Sequence, residues 1–413
     1  MLRFEDIRFD CALYNGYKPC KYGNECFDCP HYSPLMPPDA QSGFPRRPGT
    51  LPLRGEGFNV LIIKTGAMGD VLRTTSLLAP LKRAHPDARI TWVTEEAALP
   101  LLRNNPFIDE LLPFTAEQVK SLQSNRWNLV MNYEKDRAQL HLAGDLESDA
   151  KVGFAPTLWG TSMVFNPEAE YGLLLGLSDE LKFRLNTKSY PQIITEMAAL
   201  PWVRDHYVLH PGVAAERRRA EIDTLCANAA ALDSLEDSSP GSTAPRPSRI
   251  GLNTGCGSVF RTKQWPIDGW MELIAYLRET APDAQLLLLG GPAEREMNDR
   301  LAARYPWLLA TGSDNTLEEF FGVVQACDLV VSSDSLAMHI AVALEKWVVA
   351  IFGSTSAVEV DLFDRGEKIV TDFACSPCYL KVCDKVPTCM EALRGSVVGE
   401  AVVRGLTTLC QTK

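Results

Sequence analysis

The chain has 413 residues, 46% hydrophobic and 23% charged, the make-up of an ordinary soluble globular protein with room for two or three domains. Its net charge of -11 argues against a nucleic-acid binder that works through bulk phosphate attraction. No stretch approaches the ~18–20 uninterrupted apolar residues of a membrane span, and MLRFEDIRFD lacks the apolar core of a secretory signal, so a cytoplasmic protein is expected.

Residues 1–56 read as an appendage, Cys-rich at first and then a Pro/Gly-rich connector with little expectation of regular structure. From Phe58 the character changes. FNVLIIK reads as a strand, TGAMGD as a glycine-bearing turn, and VLRTTSLLAPLKRAHP as an amphipathic helix ending near Pro86. ARITWVT is a second strand, EEAALPLLRNN a helix and NLVMNY a third strand. The pattern weakens over 135–205. RRRAEIDTLCANAAALDS can form a helix, whereas SSPGSTAPRPS cannot and marks a boundary near 233–249. Alternation then resumes with RIGLNTG, WMELIAYLRETAP, AQLLLLGG, EREMNDRLAARY, LEEFFGVVQAC, DLVVSSD, SLAMHIAVALE and VVAIFG. Strands alternating with helices predict two parallel, doubly wound α/β lobes. Within them, Thr316 and Glu319 fit a capping box, WMELIAYL a core-facing helix, and Cys327 an inert core thiol.

Ligands of doubly wound sheets bind beyond the carboxyl ends of the strands, where helix starts present free amides. Three loops qualify. In TGAMGD the glycines allow a tight turn that presents Asp70 at a helix start, either as an N-cap or as a reactive carboxylate. The loop lacks the first glycine of a full dinucleotide fingerprint, which disfavours a nicotinamide enzyme. NTGCGSVFRTKQW offers backbone amides with Arg261 and Lys263 for phosphate oxygens, or else is a solvated basic loop. SSDSLAMH opens a helix with Asp334 and Ser335 and carries His339 one turn on; the structural alternative is Asp334 as the cap with a satisfied histidine.

Eight of the twelve cysteines form two groups: Cys11, Cys20, Cys26 and Cys29 as C-x8-C-x5-C-x2-C, and Cys375, Cys378, Cys383 and Cys389 as C-x2-C-x4-C-x5-C. In a reducing compartment such clustering points to metal, and four thiolates close tetrahedrally around zinc or iron in a structural site. Spacing does not separate zinc from mononuclear iron or from a cluster, and His31 could substitute for one N-terminal ligand.

Four segments in order, IIKTGAMGDVLRTTSLL, NTGCGSVFRTKQWPIDGWMELI, LLLLGGPAERE and SSDSLAMHIAVALEKWVVAIFGST, resemble glycosyltransferase family 9, the ADP-heptose-type heptosyltransferases. The resemblance implies a GT-B fold: two Rossmann-like lobes facing a central cleft, with the acceptor on the first and the nucleotide sugar on the second. It implies an inverting transferase moving heptose from ADP-heptose to a lipopolysaccharide core or other glycan, glycolipid or protein acceptor, with at most peripheral contact with the inner face of the cytoplasmic membrane. Asp70 matches the general base. Lys263 matches the lysine that neutralises the donor phosphates in place of a metal, so catalysis needs no cofactor. Asp334 matches the acid at the donor sugar, with Ser335, Leu336 and Ala337 offering amides and His339 following. Glu294, in competition with Glu296, is the candidate ribose acid, and Ser258 a phosphate contact. Where the family more often has glycine after D-S, this chain has Leu336. Related protein-modifying heptosyltransferases hold iron in a short cysteine finger like the C-terminal group. The expected layout is 1–56 appendage and linker, 57–205 acceptor lobe, 206–249 interdomain helix and linker, 250–395 donor lobe with its cysteine finger, and 396–413 a terminal helix. The competing reading is a Cys-rich metal-binding interaction protein on a degenerate transferase scaffold.

Overall fold

The computed structural model describes residues 2–22, 26, 28–35, 57–236, 246–257 and 260–411, except the side chains of 232–236. Among these residues the chain forms two compact units: 1–208 with 358–361, and 209–357 with 362–413.

The first unit holds a sheet of β1 (Asn59–Ile63), β2 (Arg89–Thr94), β3 (Glu110–Pro113), β4 (Trp127–Asn132), β5 (Ser148–Pro156) and β6 (Ser162–Val164), in the order β3-β2-β1-β4-β5-β6. Every pair is parallel except β5 with β6. The central strands are apolar along their length because helices cover both faces: Val60, Leu61, Ile62 and Ile63 are all fully buried. The helix expected after β1 is broken into Met68–Thr74, a 3-10 turn Thr75–Leu77, and Leu78–Ala84. Thr74, Thr75 and Ser76 hydroxyls donate back to the carbonyls of Asp70, Leu72 and Arg73 at 2.7, 2.6 and 2.8 Å, competition of the kind that tightens a helix mid-course. Residues 135–205 supply β5, β6 and short helices including Arg137–Asp145, Glu170–Leu177 and Tyr190–Met197.

The second unit holds β7 (Arg249–Asn253), β8 (Gln285–Leu289), β9 (Leu309–Ala310), β10 (Leu329–Ser333), β11 (Trp347–Phe352) and β12 (Gly366–Val370), all pairs parallel, in the order β12-β11-β10-β7-β8-β9. Read from its own first strand, this is the same winding as the first sheet, with the crossover reversing beside β7 and β10 as it does beside β1 and β4. Trp270, Leu273, Ile274 and Leu277 form the buried face of the helix Ile267–Thr280. The helix Gly395–Gln411 lies on that helix, so closely that a Cβ at Gly399 would stand 2.2 Å from Tyr276 Cδ1. Within the span expected to join the lobes, Val213–Glu236 forms a long helix that packs in the second unit: Arg217 and Arg218 reach Glu319 and Asn315 at 3.0 and 2.9 Å. Thr316 and Glu319 make the expected capping box, and Cys327 is buried at the sheet. Among the described residues no helix is long and apolar enough to cross a membrane.

Candidate active site

In the first unit the loop after β1 is held from below by a carboxylate that follows β4. Glu134 Oε1 accepts from Lys64 Nζ at 2.9 Å and from the amides of Thr65 and Gly66 at 2.7 and 2.9 Å. The two side chains are 9% and 5% exposed. Burial opposes the Lys64 charge, but Tyr190, Glu134 and Asp70 outweigh it and raise the ammonium above its ordinary value. The amides of 65 and 66 are thereby fixed, and the helix Met68–Thr74 starts from a defined turn capped at Ala67. Asp70 is therefore not the N-cap; it sits within the first helical turn, where the helix dipole favours an anion. Its side chain keeps 37% exposure and pairs with Arg73 at 2.5 Å. Arg73 is buried, with its guanidinium 4.1 Å from the centre of the Tyr190 ring, so it stands as a fixed cation beside Asp70.

The N-terminal segment belongs to the same unit. Tyr14 donates to the Ser162 carbonyl at 2.6 Å, and Ser162 Oγ donates to the carbonyl of Gly16. Gly16 has φ +70° and a Cβ there would lie 2.5 Å from Ser162 Oγ, so this docking requires glycine. Although the Tyr17 side chain is largely exposed, partial burial of its hydroxyl, followed by the charges of Asp136 and Glu134, raises that group above its ordinary value. Lys135, in the same loop as Glu134, is brought down to about 7, first by burial and then by Lys182 and Lys64.

In the second unit the loops after β7, β8 and β10 converge. Asn253, at the end of β7, donates to Ser332 Oγ at 3.0 Å, to Ser335 Oγ at 3.3 Å and to the Gly255 carbonyl at 2.9 Å, tying the two strand ends together. Ser335, not Asp334, caps the helix Leu336–Ala343, accepting from the Met338 amide. Leu336 occupies the first helical position with right-handed helical geometry, which calls for no glycine there. Asp334 is left to face other groups: Lys263 Nζ lies 3.5 Å from its Oδ2 and His339 Nε2 3.8 Å from its Oδ1. Glu294 accepts from the Gly291 amide at 2.8 Å and leans on Gly255, where a Cβ would stand 2.5 Å from Glu294 Cδ. Glu296 is exposed on the following helix. Between these groups lies Cys256, whose thiol is pushed up to about 11, chiefly by burial. Ser258 lies outside the described residues. The sequence thus pointed to Asp70, Lys263, Glu294, Asp334, Ser335 and His339 but missed Glu134, Asn253, Cys256 and Tyr17. An acid directly after a strand end was the available signal for Glu134.

The C-terminal cysteine group packs beside the loop that follows β7. Thr262 Oγ1 donates to the Leu380 carbonyl at 2.7 Å, the amides of Cys378 and Tyr379 bond the Ser354 carbonyl at 3.0 and 2.8 Å, and a Cβ at Gly353 would stand 2.8 Å from Cys389 Sγ. Among the described residues no three His, Cys, Asp or Glu groups are already arranged to hold a metal ion.

The model of glycosyltransferase family 9 (heptosyltransferase) matches residues 229–388. Lipopolysaccharide heptosyltransferase 1 of Pseudomonas aeruginosa is 27% identical over 351 residues, covering 80% of this chain and 89% of that protein. Among solved structures, a family 9 glycosyl transferase from Veillonella parvula superposes with a TM-score of 0.63 at 16% identity, covering 86% of this chain and 98% of that one. The ADP-heptose lipopolysaccharide heptosyltransferase II of E. coli superposes with a TM-score of 0.60 at 18% identity, covering 86% and 99%. The two Rossmann-wound sheets agree with the GT-B fold of these solved structures, and the part of the chain that the family 9 model matches lies almost wholly in the second unit.

Proposed function

We propose that the chain transfers a heptose from ADP-heptose, with inversion, to a lipopolysaccharide core or another surface-glycan acceptor. The observation that carries this reading is the grouping of Lys263, Asp334 and His339 at the carboxyl ends of β7 and β10, beside the start of the helix Leu336–Ala343. A cation and helix-start amides suit a diphosphate, and a carboxylate suits sugar hydroxyls. The relatives named for heptose transfer supply the donor sugar.

In this reading Lys263 and the amides of Ser335, Leu336 and Ala337 neutralise the diphosphate, which leaves without a divalent cofactor. Asp334 orients the donor sugar, His339 backs Asp334, and Glu294 binds the ribose hydroxyls. Asp70 takes the proton of the acceptor hydroxyl as its oxygen bonds to the anomeric carbon. The bond from that carbon to the phosphate oxygen breaks on the opposite face, and ADP departs with the electron pair. Arg73 and the first helical turn hold Asp70 as a carboxylate in place for that proton. The C-terminal quartet Cys375, Cys378, Cys383 and Cys389 would hold a structural zinc or iron ion that shapes the adjoining donor loop. The same reading places the chain in the cytoplasm, where the nucleotide sugar is available.

Asp70→Asn is expected to lower transfer by at least ~100-fold while calorimetric ADP binding stays at the parent value. Turnover near that of the parent would overturn the role of Asp70; loss of ADP binding would reassign it to the fold. The reading as a degenerate, metal-binding interaction protein has no specific observation in its favour.

A further inference from the structure

We propose that Cys11, Cys20, Cys26 and Cys29 bind one tetrahedral thiolate-held metal ion, zinc or ferrous iron, and that this ion staples the N-terminal segment so that Tyr17 is held beside Gly176 and the loop following β4. Among the described residues of this segment, Phe4 and Ile7 are the buried apolar side chains, too small a core to fix some thirty residues. Tyr17 and Tyr22 are exposed. The segment nevertheless closes on itself. Ala12 donates to the Ser33 carbonyl at 2.8 Å and Leu35 to the Asp10 carbonyl at 2.9 Å, around the isolated bridge of Cys11 with Pro34. Cys20, Cys26 and Cys29 all lie inside the loop so closed. All four are reduced thiols, and they line a single cavity together with Tyr14 and His31. Cys11 stands on the isolated bridge and Cys20, Cys26 and Cys29 on irregular backbone, none of them on a helix or in a named strand. His31, stacked on Tyr22 with ring centres 3.8 Å apart, lines the same cavity, and the four thiolates by themselves complete a tetrahedral set. Binding releases the thiol protons to solvent and supplies the cross-link that the small core lacks.

The consequence reaches the first lobe. Tyr14 and Gly16 dock on Ser162, and the carbonyl of Tyr17 lies against Gly176, 3.2 Å from where a Cβ would stand there. A stapled loop therefore delivers Tyr17 in one position, beside the loop that carries Glu134 and Lys135.

The test uses the full chain, expressed with zinc and iron supplied. Elemental mass spectrometry should find one metal ion per chain fewer in Cys20→Ser/Cys29→Ser than in the parent, and the element lost tells zinc from iron. Hydrogen exchange over residues 12–18 should accelerate at least tenfold in that variant. Gly16→Ala separates the two halves, since it should speed the same exchange while keeping the full metal content. Should the double variant fail to fold, chelator titration of the parent replaces it, with loss of protection over 12–18 accompanying metal release. Unchanged metal content in Cys20→Ser/Cys29→Ser overturns the site. Metal removal that leaves exchange over 12–18 untouched overturns the staple. None of these readouts uses turnover, so their failure is distinct from failure of the transferase reading.

Discussion

Removing the Glu134 carboxylate should unlatch the loop that carries Asp70. In Glu134→Ala, Lys64 keeps its burial and loses its 2.9 Å counter-ion, and the amides of Thr65 and Gly66 lose their acceptor. With the pair 5% and 9% exposed, breaking it from one side is expected at the lower end of the range of about 3–5 kcal/mol for a broken buried pair, because the Asp70 charge still acts on Lys64. Glu134→Gln retains an amide oxygen for the two N–H groups but offers no charge to Lys64, so a smaller loss of about 1.5–3 kcal/mol is expected. The double replacement Lys64→Met/Glu134→Leu removes both charges and should cost less than Glu134→Ala, although it changes more atoms. A two-unit chain has no single unfolding free energy, so the assay is native-state hydrogen exchange of the amides of β1 and β4 in low urea, which reads the first lobe alone. A Glu134→Ala protein within about 0.5 kcal/mol of the parent, the usual range for surface changes, would refute the latch.

Lys263→Ala should weaken ADP binding by roughly tenfold to a hundredfold, the loss of one charge-assisted contact, and titration calorimetry would expose an unchanged affinity as evidence against the donor site. Lys135 gives a pH signature. Its ammonium titrates at about 7 in the fold and at about 10.4 in the unfolded chain, so between those values the unfolded state holds more protons. The stability of the first lobe should consequently rise with pH from about 7 to about 10 through this group and be flat below. Urea midpoints measured across that window should lose this slope in Lys135→Met, and a slope that persists would exclude Lys135 as its source.

The strands were legible because buried parallel strands are nearly continuous apolar runs: FNVLIIK, AQLLLLGG and DLVV announce β1, β8 and β10 directly. The loop after β7 was legible for a related reason, since glycines and a cation following a strand are a local pattern. Glu134 was not, because its importance is topological. Only the winding that sets β4 beside β1 brings its carboxylate under Thr65 and Gly66, and its place directly after a strand end does not by itself reveal those partners. Asp70 as a cap was a sound local reading that failed because the helix begins at Met68, three residues ahead of the apolar repeat. The span 135–205 was obscure because its short helices, Glu170–Leu177 among them, are apolar on several sides and carry no clean period. Tyr17 depends on Gly16 meeting Ser162 across 146 positions, a pairing without local trace.

Residues 358–361 lie between β11 and β12 of the second unit but belong to the first. There the Glu359 carbonyl accepts the Tyr190 amide at 2.9 Å, and Asp361 takes the Arg204 guanidinium at 2.7 and 2.8 Å. The two halves are thus not beads that one cut separates. A gene divided between residues 208 and 209 would encode a first fragment whose Tyr190 amide and Arg204 wait for partners translated about 150 residues later. Recombination faces the same obstacle. A single crossover that exchanged the second unit for that of a relative would also replace four residues of the first, so shuffling of the units must bring those four along or restore them by point mutation.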